Sequence, residues 1–298
     1  MEGNVYELVQ VGEKTYYIES PAKMGIYRLN ETDVWLIDSG NDKDAGKKIQ
    51  GLLAGQGWRL SGILNTHSHA DHIGGNALLQ QRLGARIITS SIEACFNRFP
   101  VLEPTLLYGG YPPKALRNKF LMAQASDTQD LETASLPGGL QTLPLAGHAL
   151  GMLGVKTDDA VWFLADAVMG ETILQKYAIS FIYDVAGYLA TLDQVEKLEG
   201  KWFITAHAAA CEDIRPLVAA NRAQVLEVIE RILALCREPV TTEELLKRIF
   251  DAYQLTMDWS QYVLVGSTLR SYLAYLLDQN RLSAEFQENR LTWVSPAS

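Results

Sequence analysis

Along the first two-thirds of the chain, short apolar runs alternate with segments in which apolar residues recur every three or four positions. "DVWLID" (33–38) is apolar, ends in Asp38-Ser39-Gly40, and predicts a strand. "DAGKKIQGLLAGQG" then places Ile49, Leu52 and Leu53 on one face and glycines at its end, the pattern of a helix. "SGILNT" (61–66) predicts a strand, "GGNALLQQRLGA" a helix and "RIITS" a strand. Later, "AVWFLAD" (160–166) and "KWFITAH" (201–207) predict strands that each end in a polar residue. Alternation of this kind indicates an α/β fold, in which side chains converge at strand ends.

Two stretches depart from the rhythm. Residues 91–135 contain "FNRFPVLEPTLLYGGYPPKALRNKFLMAQ", with four prolines and two adjacent glycines, and predict a long irregular insertion followed by a short amphipathic helix. Insertions of that length in a compact domain are functional or disordered, and the aromatic content favours function. From residue 214 the periodicity becomes purely helical. Val225, Ile229, Ile232 and Cys236 mark one helix, and Thr241 with Glu244 forms a capping-box signature for a second. Leu269, Leu273 and Leu276 mark a third, and "RLSAEFQENRLTWV" alternates as a hairpin around Glu288-Asn289. Three helices and a hairpin look like a winged-helix domain. The expected division is therefore 1–213 and 214–298.

Charge narrows the partners. The 298-residue chain has a formal net charge of −9, which repels nucleic acid and anionic membranes. Residues 212–298 hold nine Lys/Arg against twelve Asp/Glu, and the third helix has a single arginine, Arg270. DNA binding needs a basic face, so this part reads as a packing or dimerisation module, a homodimer included. No segment approaches the roughly 20 apolar residues of a membrane helix. The start, "MEGNVYELVQVGEKTYYIES", lacks the pattern of an export signal. Cys95, Cys211 and Cys236 form no disulfide framework and suit a reducing cytoplasm. Each reads as a small buried apolar side chain, although Cys211 lies four residues after His207.

The candidate chemistry lies in "LNTHSHADHIGG" (64–75), which holds three of the chain's five histidines. Imidazole and carboxylate present lone pairs to zinc or iron at roughly 2.0–2.2 Å. His67 and His69, two apart on an extended segment, project to one side; Asp71 and His72 follow as the chain turns into a helix. Four such ligands can serve two neighbouring metals, and Gly74 and Gly75 let the next helix approach closely. Two metals need further ligands. His148 in "LAGHALG", His207 in "ITAHAAA" and Asp166 in "FLADAV" each stand at the end of a predicted strand or just beyond one. Zinc is the first expectation for the two divalent ions; iron and manganese suit the same donors.

This set resembles the metallo-β-lactamase superfamily. The likeness covers about residues 1–213 and includes, in order, Asp38, "THSHADH", "GH" at 147–148, "AD" at 165–166 and "AH" at 206–207. It implies a four-layer αβ/βα sandwich with metals at one edge. It also implies ligand sets: His67, His69 and His148 on the first metal, Asp71, His72 and His207 on the second, and Asp166 bridging. Asp38 would orient ligands by hydrogen bonds, or else act as a helix N-terminal acid. Diiron oxygen-reducing members carry Glu where this chain has His69 and usually a flavodoxin domain, so electron transfer is disfavoured. Antibiotic-hydrolysing members generally lack the bridging carboxylate. The pattern is nearer the glyoxalase II and lactonase type, but that group's "GHTPGH" appears here as "GHALGM", with Met152 in place of the second histidine.

The resemblance leads to hydrolysis of a small acyl substrate, an ester, thioester or lactone, by metal-bound hydroxide, with Asp71 orienting the water and returning a proton. In the insertion, Tyr108, Tyr111 and Phe120 are candidates for an apolar substrate wall. Lys114, Arg117 and Lys119 read as a solvated helix face or an anion site, and Tyr177 and Tyr183 in "QKYAISFIYDVAGY" are further candidates to reach the site. Competing readings are a phosphodiesterase or RNA-processing nuclease, which the charge disfavours, and a metal-sensing regulator acting through the winged-helix part.

Overall fold

The computed structural model describes residues 6–296; residues 1–5, the head of the stretch read for an export signal, and 297–298 lie outside the described residues. The chain begins with β1 (Glu7–Gln10), β2 (Thr15–Glu19), β3 (Met24–Arg28) and β4 (Asp33–Ile37), followed by α1 (Lys43–Gln56) and β5 (Arg59–Leu64). Next come α2 (Ala70–Ile73), α3 (Asn76–Leu83), β6 (Arg86–Thr89), α4 (Ser91–Arg98), α5 (Leu102–Tyr108) and β7 (Gln129–Asp130). β1 to β7 form one sheet in chain order, antiparallel from β1 to β4 and parallel from β4 to β7.

β8 (Leu140–Pro144), β9 (Leu153–Thr157), β10 (Val161–Ala165) and β11 (Trp202–Thr205) form the second sheet, in the order β11-β10-β9-β8. α6 (Glu171–Tyr177) and α7 (Val185–Val195) join β10 to β11. The chain ends with α8 (Arg215–Leu235), α9 (Thr242–Ala252), α10 (Trp259–Asp278) and a hairpin of β12 (Ser283–Gln287) and β13 (Arg290–Val294).

Local sequence sets the boundaries. Asp42 caps α1 by accepting from the backbone N–H groups of Asp44 and Ala45, and Gly57 ends that helix at φ +68°. Thr241 caps α9 by accepting from Glu244 N–H, one half of the expected capping box. Glu288 and Asn289 at the hairpin tip both have positive φ, the turn that matches the twist of paired strands.

Three apolar layers hold the sheets. Tyr27, Trp35 and Leu64 of the first sheet meet Val155, Phe163 and Ile204 of the second between them. Ile49 and Leu53 of α1 and Leu79 of α3 cover the outer face of the first sheet. Leu192 and Val195 of α7 cover the second, and the same cluster runs on without a break into Val225 and Ile229 of α8, Leu246 of α9 and Leu273 of α10. The order is helix, sheet, sheet, helix, the sandwich expected from the sequence. Each fully buried Leu or Ile contributes about 1.5–3 kcal/mol relative to exposure. Among the described residues no helix is long and apolar enough to cross a membrane.

The insertion differs from expectation. Its first third is regular, as α4 and α5, while the expected amphipathic helix is a single 3-10 turn at Lys114–Leu116. Leu107, Leu116 and Leu121 are instead buried against Val263 of α10, so tertiary contacts rather than local periodicity shape this stretch.

Candidate metal centre

The ends of β4, β5, β10 and β11, and the loop after β8, meet at one edge of the sandwich. Asp38, just past β4, adopts φ +63°. Its carboxylate accepts from Thr66 N–H (2.8 Å), Thr66 Oγ1 (2.7 Å) and His72 Nδ1 (2.8 Å). Asp38 thus fixes the 66–72 segment by hydrogen bonds and caps no helix. Gly74 and Gly75 allow the close approach that the sequence suggested: a Cβ on Gly74 would lie 2.3 Å from the backbone carbon of Asn41, and one on Gly75 2.4 Å from Ser39 O. β10 is bulged near its end, and Ala165 has φ +47°, which turns the buried Asp166 inward. Gly147, at φ +116°, lies so close to α7 that a Cβ there would be 2.2 Å from Tyr188 N.

Seven side chains converge. Nδ1 of His69 lies 3.0 Å from His67 Nε2 and 3.0 Å from His148 Nε2, forming one group of donors. Asp71, His72 and His207 form another: His207 Nε2 is 3.2 Å from Asp71 Oδ2, and His72 Nε2 is 3.8 Å from it. Asp166 stands between them, 3.4 Å from His148 Nε2, 3.2 Å from His72 Nε2 and 3.5 Å from His207 Nε2. Donors on a tetrahedral ion with bonds of roughly 2.0–2.1 Å sit about 3.3 Å apart, so most of these spacings suit cations. Each imidazole except His69 is held through its other nitrogen. His67 Nδ1 meets Thr66 Oγ1 (3.1 Å), His148 Nδ1 donates to Phe181 O (3.0 Å) and His207 Nδ1 to Pro21 O (2.9 Å). That leaves their Nε2 lone pairs facing the centre.

Electrostatics give a separate test of fit. His72 Nε2 and Asp166 Oδ1 are buried and make no hydrogen bond, although they lie 3.2 Å apart. Orphaned buried polar atoms are rare and costly, and a cation between them satisfies both. Burial drives the pKa of His67 well below the ordinary value, helped by the charges of His72 and His69, and drives that of His148 down to about 3. At His207 burial opposes the charged ring, but Asp166 and Asp71 outweigh it and raise the pKa to about 10. Burial is likewise overcome at His72, where Asp166, Asp71 and Asp38 hold the pKa well above the usual range. Burial also disfavours ionised Asp71 and Asp166, yet the surrounding histidines hold both below the usual carboxylate range. His72 and His207 thus retain protons beside ionised Asp71 and Asp166, where metal ions fit.

The candidate substrate residues scatter. Tyr183 borders a narrow space together with His69, Leu106 and Leu150. Tyr111 is 75% exposed and accepts a hydrogen bond from Arg117 Nη1 at 2.9 Å. Lys119 pairs with Asp42 at 3.1 Å. Arg117 and Lys119 therefore face different partners, not one anion. Tyr108 is exposed at the end of α5, Phe120 is exposed, and Tyr177 is exposed under the Lys176 ammonium. A groove of about 610 Å³ opens beside His207, bordered by Pro21, Lys23, Ile173 and Leu217. Cys211, four residues beyond His207, is on no helix; its backbone pairs with Phe203.

Three residues at the site escape sequence reasoning. The ring of Phe181 packs 5.4 Å from that of His69 and 5.7 Å from that of His148. Glu103 of α5 is buried, 3.5 Å from His69 Nε2, and burial raises its pKa. Glu93 of α4 is buried and accepts from Ser68 N–H (2.9 Å), Ser68 Oγ and Gly151 N–H (2.7 Å), tying the first histidine segment to the His148 loop. The one available signal was an acid on the apolar face of a short helix, as with Glu93 beside Ala94 and Phe96.

Comparison with known proteins bears on the family and the fold. Residues 20–207 match the family model described as metallo-beta-lactamase superfamily. A hydroxyacylglutathione hydrolase from Methylococcus capsulatus is 27% identical over 227 residues, 73% of this chain and 75% of that protein. Another from Bradyrhizobium is 51% identical over 62 residues, 21% of this chain and 24% of that protein. In structure, a metallo-beta-lactamase family protein from Thermus thermophilus superposes with a TM-score of 0.73 at 19% identity, covering 95% of this chain and 99% of the other. A beta-lactamase domain protein from Burkholderia ambifaria gives 0.73 at 14% identity, covering 99% and 95%. At such identities the structural likeness is one of fold.

Proposed function

Because this chain belongs to the metallo-beta-lactamase superfamily and is a hydrolase of it, we propose that it uses two divalent metal ions, zinc by preference, to hydrolyse a small acyl substrate. Ester, thioester and lactone are the candidate classes, thioester among them because a relative named hydroxyacylglutathione hydrolase aligns over most of the chain. The observation that carries the reading is Asp166, within 3.5 Å of imidazole nitrogens from both donor groups. His67, His69 and His148 would hold one ion, and Asp71, His72 and His207 the other, with Asp166 shared. Bound there, the ions supply Lewis acidity and lower the pKa of water to about 7.

The chain's own residues do the rest. Asp71 is the most open of the seven, with its side chain 41% exposed, and the neighbouring histidines keep it ionised at neutral pH, so its carboxylate can accept a hydrogen bond from water. It orients the attacking water and returns the proton to the leaving group. Phe181 packs edge-on against the His69 and His148 rings. The groove beside His207 has a volume that suits a small molecule. We assign catalysis to residues 1–213 and support to the winged-helix-like residues 214–298. Three free cysteines suit a reducing cytoplasm.

The test is turnover of a chromogenic ester and thioester panel by zinc-loaded protein, with Asp71→Asn as the variant. Wild type should hydrolyse at least one class and lose that activity on chelation. Asp71→Asn should keep its circular dichroism and lose activity by at least roughly a hundredfold. Full turnover in the variant would overturn the role of Asp71.

A further inference from the structure

The C-terminal helices reach the candidate centre through named hydrogen bonds. Thr268 of α10 is fully buried, and its Oγ1 accepts from Ile182 N–H at 3.2 Å. That N–H belongs to the same peptide group as the Phe181 carbonyl, which accepts from His148 Nδ1 at 3.0 Å. A peptide group is planar. Fixing its N–H therefore fixes the direction of its C=O, and with it which nitrogen of His148 carries the proton. Nearly one helical turn further on, Ser271 Oγ donates to Tyr183 O at 2.7 Å. These two hydroxyls hold the backbone immediately after Phe181, at Ile182 and Tyr183. Valine would fill the buried Thr268 site equally well by volume, so packing alone does not call for a hydroxyl there.

α8 does the corresponding work for the carboxylate. Asn221 is buried and uses its whole amide. Oδ1 accepts from Met169 N–H (2.9 Å) and from the Tyr188 hydroxyl (3.0 Å); Nδ2 donates to Met169 O (2.8 Å) and Leu217 O (2.8 Å). Met169 lies three residues beyond Asp166, on the loop that leaves β10.

From these contacts we infer that α8 and α10 are part of the metal centre: Thr268 and Ser271 are positioning residues for His148, and Asn221 is one for Asp166. The inference rests on the metal reading above. It gives the C-terminal residues a role in setting ligand geometry, transmitted through one peptide group on one side and one side-chain amide on the other. Loss of an outer hydrogen bond to a ligand weakens metal binding by roughly 10–100-fold.

The test is cobalt(II) titration of metal-free full-length protein against a competing chelator, with the visible d–d spectrum recorded. Thr268→Val should fold, bind cobalt about tenfold or more weakly and show a shifted spectrum, and Thr268→Ser should restore both. Ser271→Ala, at a half-buried position where truncation spares the fold, should move affinity in the same direction by a smaller factor. Wild-type affinity and spectrum in both Thr268→Val and Ser271→Ala would overturn the inference while leaving the metal centre standing. If the wild type bound no cobalt at all, the metal reading would fall, and this inference with it.

Discussion

Nδ1 of His72 lies 2.8 Å from Oδ2 of Asp38, and this contact decides which nitrogen of His72 faces the centre. With Nδ1–H donated to a carboxylate, Nε2 keeps its lone pair for a cation. Asp38 is itself fixed by Thr66 N–H and Thr66 Oγ1. Asn at this position keeps the shape and tolerates the left-handed backbone, but offers an N–H where an acceptor is needed. Asp38→Asn should therefore stay folded and bind zinc roughly 10–100-fold more weakly. Competition with a chromogenic chelator measures this, and unchanged affinity would remove Asp38 from the site.

Zinc uptake should release protons. In the metal-free protein His72 is held well above its usual pKa and His207 at about 10, so both carry protons at pH 7.5 that a bound metal must displace. Calorimetric titration in buffers of different ionisation enthalpy should show about two protons leaving per fully loaded protein. An enthalpy independent of buffer would contradict the assignment.

The same shifts fix the pH dependence of metal-free stability. The contribution of His207 is fully present below pH 6.5 and is lost as pH rises through about 10, because its folded pKa is raised. His148, lowered to about 3, acts in the opposite sense and removes stability as pH falls below 6.5. The metal-free protein should thus have its highest Tm near neutrality and lose stability on both sides. Thermal melts with chelator from pH 4 to 10 check it; a Tm still rising at pH 9 to 10 would be the wrong sign.

Glu93 should matter to stability as well as to the site. Replacing it by Ala strands the N–H groups of Ser68 and Gly151, each left without its acceptor. An unmade hydrogen bond of this kind costs about 1–3 kcal/mol, so Glu93→Ala should lower unfolding free energy by about 2–5 kcal/mol in urea melts, and Glu93→Gln by less. A loss below about 0.5 kcal/mol would mean that the two loops are held by other contacts.

Arg270, the lone cation read on the third C-terminal helix, has a side chain 56% exposed and lies 3.6 Å from exposed Glu243. A pair of that kind contributes little. Arg270→Ala should leave ester turnover within about twofold of wild type, and wild type should not retard duplex DNA at physiological salt. Metal-dependent DNA binding that vanished in Arg270→Ala would favour the regulator instead.

Seven of the side chains that converge here were legible in the sequence because all five histidines lie in loops that follow predicted strands, Asp71 stands among three of them, and Asp166 ends a predicted strand of its own. Strands β4, β5, β10 and β11 were legible because each is an apolar run ending in a polar residue, and α8 to α10 because their apolar residues keep a helical period. The insertion was read less well. Its apolar positions follow no period, since Leu107, Leu116 and Leu121 are spaced to meet α10 rather than to form one local face. Among the aromatic candidates nearby, Tyr177 and Tyr183 were singled out by type, but it is Phe181 that packs on the ligand rings.

The sequence alone therefore determined which residues could bind a cation and the order in which strands deliver them, since donor chemistry and hydrophobic period are properties of residues and their spacing. Tertiary structure decided the rest: which imidazole nitrogen faces inward, where Glu93, Glu103 and Phe181 stand, and that Thr268 lies one peptide group from a ligand. Those facts depend on directions and distances between segments from 25 to 186 residues apart, and such separations leave no pattern along the chain.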